Sequence, residues 1–283
     1  MSHESHQLTV GLPSSGKTTF IAALWHVLES GEVPDSLRLV EVHGIRDHLN
    51  RIRKQWLDCQ ELERTKISAE RIASFRLRTQ AGESTELFVP DMSGETYRMQ
   101  WETRQWTRQF QDHAAQCQGT LLFVHPQHVV EPVRIDGLVS RIEAQLGAPA
   151  GAENPDSQSQ PLEWTPAAVA TQVQLVELLQ FLLRIPFRDR RMRLAVIISA
   201  WDLIQVMTPQ EWLGVRLPLL DQFIQSNSEQ LPSRVFGISA QGGELKDAKK
   251  LQELAIASQR IRVVGEGCGE HDITGPVKWL MAL

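Results

Sequence analysis

Eight residues near the start of the chain have the types and spacing needed to bind a phosphate group. Residues 11–18 read Gly-Leu-Pro-Ser-Ser-Gly-Lys-Thr and match the Walker A pattern G-x-x-x-x-G-K-[ST]. In this pattern the glycines let backbone N–H groups surround a diphosphate, the lysine reaches the β- and γ-phosphate oxygens, and the last hydroxyl binds Mg²⁺. The nucleotide-contacting residues predicted here are Gly11, Pro13, Ser14, Ser15, Gly16, Lys17, Thr18 and Thr19.

The residues on either side of this loop favour phosphate binding over a chance glycine-rich turn. A short strand is predicted over residues 7–10, and apolar residues at helical spacing predict a helix over residues 17–29. The loop therefore leads into a helix N-terminus, where the helix dipole favours anions. Lys17 is accordingly a candidate catalytic residue, and Thr18 a candidate Mg²⁺ ligand.

A second motif follows an apolar segment, where a nucleotide site needs a carboxylate. Residues 87–89 are Leu-Phe-Val and lead through Pro90 into Asp91-Met-Ser-Gly94, a D-x-x-G pattern. An aspartate at the carboxyl end of a buried strand faces the ligand crevice of a parallel sheet. Asp91 is predicted to hold Mg²⁺ through water, and the Gly94 N–H to approach a γ-phosphate. The alternative is an ordinary turn at the end of a strand.

Strands and helices alternate along most of the chain. Apolar or alternating segments predict strands over residues 37–42, 73–79, 84–90, 119–124, 194–199 and 234–239. Helical spacing predicts helices over residues 45–59, 96–115, 167–185, 209–225 and 273–283. This order predicts an α/β protein with a mostly parallel central sheet and helices on both faces. We expect one domain over residues 1–283, with a flexible insertion near residues 126–166.

Composition narrows the class of protein. The chain has 283 residues, 42% of them hydrophobic, which is enough for a full core. A formal net charge of −5 argues against general affinity for nucleic acid. Three dispersed cysteines suggest neither a disulfide framework nor a zinc site and favour a reducing, cytoplasmic location. We expect no signal peptide and no membrane-spanning segment.

The motifs, taken in order, resemble those of the TRAFAC-class, Ras-like P-loop GTPases. After the two motifs above, residues 198–202 (Ile-Ser-Ala-Trp-Asp) and 238–241 (Ile-Ser-Ala-Gln) end two apolar segments. They stand where these GTPases have N/T-K-x-D and S-A-K. The tryptophan in the first helix, D-M-S-G-E and A-W-D are similar to bacterial double-GTPase families of multi-gene conflict or defence loci. The resemblance implies a small-GTPase-like fold, GTP or GDP and Mg²⁺ as cofactors, and protein partners encoded nearby.

This resemblance assigns base recognition to Asp202. The corresponding carboxylate in the family accepts hydrogen bonds from guanine N1–H and the exocyclic amine, two donors that adenine lacks. Ser199 and Ala200 depart from the family pattern, and alanine cannot cover the base as the family lysine does. Trp201 either stacks on the base instead or belongs to the core.

The later segment resembles the loop whose backbone N–H reads guanine O6 in these GTPases. Its residues here are Ser239, Ala240 and Gln241, and Gln241 replaces the usual lysine. By itself this short motif has little specificity, so its assignment depends on the other three motifs.

Three residues between the motifs are further candidates for catalysis and metal binding. The family supplies a switch I threonine to Mg²⁺, and Thr65 lies in a polar segment at the corresponding position. Thr79, inside a predicted strand, is the less favoured alternative. Arg64 is either an arginine acting in cis on the transition state or a solvated surface residue. Glu95 follows the D-x-x-G, where many relatives use glutamine to orient water; it is otherwise the acidic residue that begins a helix. A carboxylate there adds negative charge beside a phosphate, which predicts slow hydrolysis.

Three functions stay open on the sequence. The first is a GTP-binding switch with slow, Mg²⁺-dependent hydrolysis that acts through a protein partner. The second is an ATPase or a nonselective NTPase, which the residues at positions 199 and 200 permit. The third is a scaffold subunit that a nucleotide stabilises and that has no useful turnover.

Overall fold

One central sheet contains all eight strands among the residues that the computed structural model describes, which are 5–44, 46–62, 71–91, 101–132, 169–184, 191–204 and 206–282. The strands are β1 (Ser5–Gly11), β2 (Arg38–His43), β3 (Arg71–Arg78), β4 (Ser84–Asp91), β5 (Gly119–Val124), β6 (Arg193–Ser199), β7 (Ser233–Ser239) and β8 (Arg262–Val264). Their order across the sheet is β2-β3-β4-β1-β5-β6-β7-β8.

The middle of the sheet is parallel and its two edges are antiparallel. Strands β4, β1, β5, β6 and β7 run in the same direction. All residues of β5 are buried, as expected for a parallel strand covered on both faces. At one edge β2 and β3 pair antiparallel, as do β3 and β4; at the other edge β8 runs antiparallel to β7.

Helices cover both faces of this sheet. They are α1 (Lys17–Ser30), α2 (Arg46–Leu57), α3 (Arg108–Gln116), α4 (Thr171–Leu183), α5 (Pro209–Arg216), α6 (Pro218–Ser226), α7 (Ala248–Gln252) and α8 (Gly275–Met281). Apolar residues of α1, α2 and α8 pack with Leu121 and Phe123 on one face. Those of α3, α4, α5 and α6 pack with Leu122 and Val124 on the other. Successive residues of β5 therefore enter opposite layers, and the predicted α/β architecture is confirmed.

The prediction of one continuous helix over residues 96–115 is wrong. Residues 101–103 are helical, but the chain leaves the helix at Arg104, whose φ is +55°, and α3 begins only at Arg108. The Thr107 hydroxyl accepts a hydrogen bond from the Phe110 N–H and so caps the new helix. Residues 96–100 of the prediction lie outside the described residues.

The helix predicted over residues 209–225 is two helices. Proline lacks a backbone N–H and disfavours helical backbone at the residue before it. Leu217, which precedes Pro218, has φ −135° and ψ 56° and separates α5 from α6. Pro218 then occupies the first turn of the new helix, where its missing donor costs nothing.

The expected insertion near residues 126–166 falls mostly outside the described residues. Its first residues form a 3₁₀ turn, Pro126–His128, which His125 joins to the end of β5. No helix in the described ranges is long and apolar enough to cross a membrane.

Candidate nucleotide site

The carboxyl ends of three neighbouring strands bring two of the predicted motifs together. Gly11 at the end of β1 is paired with Phe123 of β5. On the other side of β1, Leu8 pairs with Phe88 of β4. Both strands run in the same direction and β4 ends at Asp91, so the D-x-x-G begins at the same edge of the sheet as the Walker A loop. The backbone supports the predicted proximity.

Two further strands end at the same edge and carry the predicted base-recognition residues. Ile198 of β6 pairs with Val124 of β5, and Ser199 pairs with Ile238 of β7. The segments after residues 199 and 239 therefore leave the sheet on the same side as the Walker A loop. Ligands of open parallel sheets bind in the crevice outside these strand ends.

The Walker A loop has backbone that only glycine adopts easily at two of its positions. Gly11 and Gly16 have φ values of +157° and +90°. A Cβ at Gly11 would lie 2.8 Å from the Phe123 carbonyl oxygen, and one at Gly16 would lie 2.7 Å from the Ser199 side chain. Ser14, exposed at the loop, also has a positive φ of 57°. Both glycines are therefore required by conformation and by space.

The Lys17 ammonium is folded back onto the loop that precedes it. Its Nζ donates hydrogen bonds to the Gly11 carbonyl oxygen at 2.6 Å, to the Leu12 carbonyl oxygen at 3.0 Å and to the Ser15 Oγ at 3.1 Å. The positive charge thus lies at the phosphate loop itself, at the N-terminus of α1, where the helix dipole also favours anions. Thr18 and Thr19, both half-buried, occupy the first turn of that helix.

Ser199 connects the Walker A loop to the sheet. Its Oγ lies 2.8 Å from the Ser15 carbonyl oxygen and 3.1 Å from the Val124 carbonyl oxygen, and it can donate its one proton to either. The side chain is buried and its atoms limit the space beside Gly16. In the sequence this residue is only a departure from N/T-K-x-D, because the contact depends on how closely β6 approaches the loop.

Asp202 and the loop after β7 are joined directly. The buried Ser239 hydroxyl donates to the Asp202 Oδ1, and the Gly242 N–H donates to the Ser239 Oγ at 3.1 Å. Asp202 lies in a 3₁₀ turn, Trp201–Leu203, that begins after Ala200 in left-handed conformation. The structure therefore brings the predicted carboxylate and the predicted base-reading loop together.

Trp201 lies in the core beside this site. Its side chain is 8% exposed and packs flat on Gly237, where a Cβ would lie 2.3 Å from the indole. This packing favours the core assignment over base stacking. Trp201 therefore does not cover the base in place of the family lysine, which is replaced by Ala200 in this chain.

The loop after β7 also contacts helix α2. The Trp56 indole N–H donates to the Ala240 carbonyl oxygen at 2.9 Å, and the Gln241 Nε2 lies 3.5 Å from the Trp56 carbonyl oxygen. Trp56 is predicted in the sequence only as an apolar residue of a helix. Nothing in its spacing signals a link to residue 240, which is 184 positions away.

His125 is a second residue that the sequence analysis missed at this edge. It follows β5 directly, and its Nδ1 accepts a hydrogen bond from the Gln127 N–H at 3.2 Å. Burial lowers the pKa of His125, and the neighbouring His128 lowers it further, while the Asp202 carboxylate acts in the opposite direction. A neutral imidazole therefore lies near the carboxylate at neutral pH.

Arg64, Thr65, Gly94 and Glu95 lie outside the described residues. For Asp91 the structure gives the backbone position at the end of β4 and nothing about its side chain. Their roles stay predictions.

The fold and the site define the class of protein. A mostly parallel sheet with helices on both faces and a Walker A loop between β1 and α1 make this an α/β P-loop protein. Residues 8–280 match the Double-GTPase 1 family, so the chain belongs to that family.

Two solved structures are similar to this chain over most of its length. A protein described as nucleolar GTP-binding protein 1 from Plasmodium falciparum is 10% identical, with a TM-score of 0.38, over 89% of this chain and 86% of that chain. The Ski7 GTPase-like domain of S. cerevisiae, bound to GTP, is 11% identical, with a TM-score of 0.39. That match covers 86% of this chain and 44% of the other. No curated protein sequence matches this chain.

Proposed function

We propose that this chain is a guanine-nucleotide-binding switch that hydrolyses GTP slowly in the presence of Mg²⁺. The observation that carries the proposal is the shared strand edge, where Lys17 lies on a glycine-dependent loop and Asp202 lies after β6. Membership in the Double-GTPase 1 family supports binding of a guanine nucleotide. The phosphate and base ends of one nucleotide would thus be held by two loops of the same sheet.

The residues of the Walker A loop suit a diphosphate. Its backbone has no room for side chains at Gly11 and Gly16, so main-chain N–H groups can approach phosphate oxygens closely. Lys17 would exchange its hydrogen bonds to loop carbonyl groups for bonds to the β- and γ-phosphates. Thr18, in the first turn of α1, would hold Mg²⁺, which neutralises phosphate charge when bound. Asp91 would hold the same ion through water.

Base selection is assigned to the pair of loops after β6 and β7. The Asp202 carboxylate would accept from guanine N1–H and the exocyclic amine, and the Ser239 hydroxyl keeps that carboxylate in position. A backbone N–H of the segment Ser239-Ala240-Gln241 would donate to guanine O6. Adenine has an acceptor at N1, a donor at position 6 and no amine at position 2, so guanine is favoured.

Four residues complete the proposal on the strength of the family resemblance. Thr65 would be a Mg²⁺ ligand, the Gly94 N–H would contact the γ-phosphate, and Glu95 would orient the attacking water. Arg64 would stabilise transition-state charge in cis. Because the Glu95 carboxylate adds negative charge beside a phosphate, we expect slow turnover in the absence of a partner.

The biological setting is part of the same proposal. One domain spanning residues 1–283 would act in the cytoplasm through a protein partner encoded nearby, in a bacterial conflict or defence system. The segments at Thr65 and Gly94 would order around a γ-phosphate and relax after hydrolysis, which is how a partner would sense the nucleotide.

Mg²⁺-dependent binding of fluorescent GTP, with unlabelled GTP, GDP and ATP as competitors, tests the proposal. We expect GTP and GDP to displace the probe and ATP to fail, since only guanine satisfies Asp202. Lys17→Ala should weaken binding by at least about tenfold, because a charge-assisted contact to phosphate is lost.

The other outcomes separate the competing functions. Equal displacement by ATP would replace the proposal with a nonselective NTPase, in which Ala200 leaves the base uncovered. Binding without turnover, in wild type and Lys17→Ala alike, would indicate a scaffold subunit. If no nucleotide binds, both the GTP-binding switch and the nonselective NTPase are excluded.

A further inference from the structure

The loop that is proposed to read guanine is held from outside by a helix that carries none of the predicted motifs. Trp56 lies in the last turn of α2 and is fully buried, with its indole N–H on the Ala240 carbonyl oxygen. A buried tryptophan needs an acceptor for this N–H, and here the acceptor is the backbone of the recognition loop.

This hydrogen bond sets the orientation of one peptide group. The C=O and N–H of a trans peptide point in opposite directions. Since the Ala240 C=O points to Trp56, the N–H of the same peptide, which belongs to Gln241, points away from α2. The Gln241 side chain, 3.5 Å from the Trp56 carbonyl oxygen, adds a second contact to the same residue. Rotation of this peptide would break the bond from the indole.

Arg260 supports Trp56 on its other side. The guanidinium lies 3.7 Å from the centre of the Trp56 ring and donates to the Trp56 carbonyl oxygen. It also donates to the Cys59 Sγ at 3.1 Å and lies 3.5 Å from the Leu57 carbonyl oxygen. The planar guanidinium can stack and donate at once, which a lysine ammonium cannot do.

The backbone of Arg260 contacts the recognition loop as well. Gly242 has a φ of +87°, and a Cβ there would lie 2.3 Å from the Arg260 carbonyl oxygen. The loop over residues 239–242 is therefore enclosed between Trp56 at Ala240 and Arg260 at Gly242. Arg260 is 3% exposed and its Nε has no hydrogen-bond partner among the described residues. Such burial of a charge is costly, so a positional role for the side chain explains its presence here.

We infer that Trp56 and Arg260 are positioning residues that hold the 239–242 loop in the conformation that reads guanine O6. The inference rests on the proposed function and goes beyond it, because neither residue belongs to a GTPase motif. Both act through the loop rather than on the nucleotide. They therefore set the preference for guanine over adenine without contributing to phosphate binding.

Trp56→Phe is the most direct test, and Trp25→Phe is its matched control. The phenylalanine keeps an aromatic ring under Arg260 and removes the donor to Ala240, and the ring volume that it also removes is lost equally in the control. Trp25 is also fully buried, and its indole N–H donates to the Asn50 Oδ1 at 3.0 Å within the contact between α1 and α2. Both variants lose one hydrogen bond that a buried indole donates, but only Trp56→Phe loses one to the recognition loop.

Dissociation constants for GDP, IDP and ADP identify which part of the base is affected. IDP has O6 but lacks the exocyclic amine that Asp202 reads, and ADP lacks O6. In Trp56→Phe we expect the affinities for GDP and IDP to fall together by about threefold to tenfold, as for loss of one hydrogen bond, with ADP unchanged. In Trp25→Phe all three should stay at wild-type values.

Arg260→Lys, with Arg193→Lys as its control, repeats the test on the other residue. Arg193 also donates to a tryptophan carbonyl oxygen, that of Trp279 at 2.7 Å, and lies over the same indole, but it is not in contact with the recognition loop. We expect the GDP-to-ADP affinity ratio to fall in Arg260→Lys alone. This pair decides the question if Trp56→Phe does not fold.

Two results would overturn the inference while the proposed function stands. One is a wild-type GDP-to-ADP ratio in Trp56→Phe or Arg260→Lys. The other is an equal loss in a variant and its control, which would show a general packing effect. If the wild-type protein itself does not prefer GDP to ADP, the proposed guanine selectivity fails first, and the inference fails with it.

Discussion

The Asp202 carboxylate owes its position to one hydroxyl, that of Ser239. Asp202→Asn keeps an oxygen that can accept this hydrogen bond but replaces the second acceptor by a donor. We expect GDP affinity to fall at least about tenfold and XDP affinity to rise, because xanthine carries an oxygen where guanine carries the amine. Competition against fluorescent GDP measures both changes.

Asp221→Asn is the control for this substitution. Asp221 lies on α6 and accepts hydrogen bonds from the Gln210 and Gln225 side chains. Its change to asparagine should leave both affinities at wild-type values. Unaltered GDP binding in Asp202→Asn would exclude this carboxylate from base recognition.

Gly16 combines two reasons for being glycine, and Gly31 has only one of them. Both have positive φ, but a Cβ at Gly31 meets nothing within 4 Å, whereas one at Gly16 meets Ser199 at 2.7 Å. Gly31→Ala should therefore lower the free energy of unfolding by about 1 kcal/mol and leave nucleotide binding intact. Gly16→Ala should also abolish nucleotide binding, since the loop must move away from Ser199.

Denaturant unfolding and GDP titration of the two glycine variants separate these effects. Tight GDP binding by Gly16→Ala would show that the loop can accept a Cβ beside Ser199, contrary to our expectation. Loss of GDP binding by Gly31→Ala would show instead that the C-terminal end of α1 affects the site.

Site residues differ in how far the sequence alone could identify them. Lys17 and the glycines around it could be predicted because adjacent residues build the whole phosphate loop. The position of Asp202 could be predicted from motif order. The contacts of Ser199 with Ser15 and of Trp56 with Ala240 could not, because each joins segments 184 positions apart and depends on packing of the complete sheet.

At the scale of elements, buried parallel strands were the most predictable part of the fold. Strand β5 matches its predicted residues 119–124, since an uninterrupted apolar run between polar residues has few alternatives. The helices were less predictable at their breaks. Pro218 could have indicated one break, but the positive φ of Arg104 has no signal in its residue type. The three-residue edge strand β8 is held by pairing with β7 and is too short to show a period.

The unit formed by β2 and α2 reaches the candidate site through the last turn of α2. Strand β2 occupies the sheet edge beyond β3, and α2 returns across α1 so that its last turn reaches the recognition loop. The sequence predicted both elements, at residues 37–42 and 45–59, but not what α2 contacts. An amphipathic pattern gives the buried face of a helix and leaves its partner undetermined.

At the scale of the whole molecule, three histidines among the described residues have pKa values below the ordinary value for histidine. Burial lowers the pKa of His26, His113 and His125, although nearby carboxylates partly oppose it. His26 contacts Glu32 and Arg53 between α1 and α2, so its neutral form is built into a helix contact. Each of the three is neutral in the folded protein at a pH where the unfolded chain, with a pKa near 6.5, already binds a proton.

The free energy of unfolding should therefore fall as pH decreases from 7.5 to 5.5, because the unfolded state binds more protons in this interval. Glu32, the carboxylate in contact with His26, does not produce this loss. For Glu32, burial acts to raise the pKa, but hydrogen bonds from Ser258 and His26 outweigh it, so this group stays ionised in both states until the pH approaches 4.5.

Urea unfolding midpoints at several pH values measure this fall in the free energy of unfolding. His26→Gln should reduce the pH dependence, with the exposed His43→Gln as the control for losing a histidine. Stability that is constant or rises on acidification would show that these imidazoles are protonated in the folded protein.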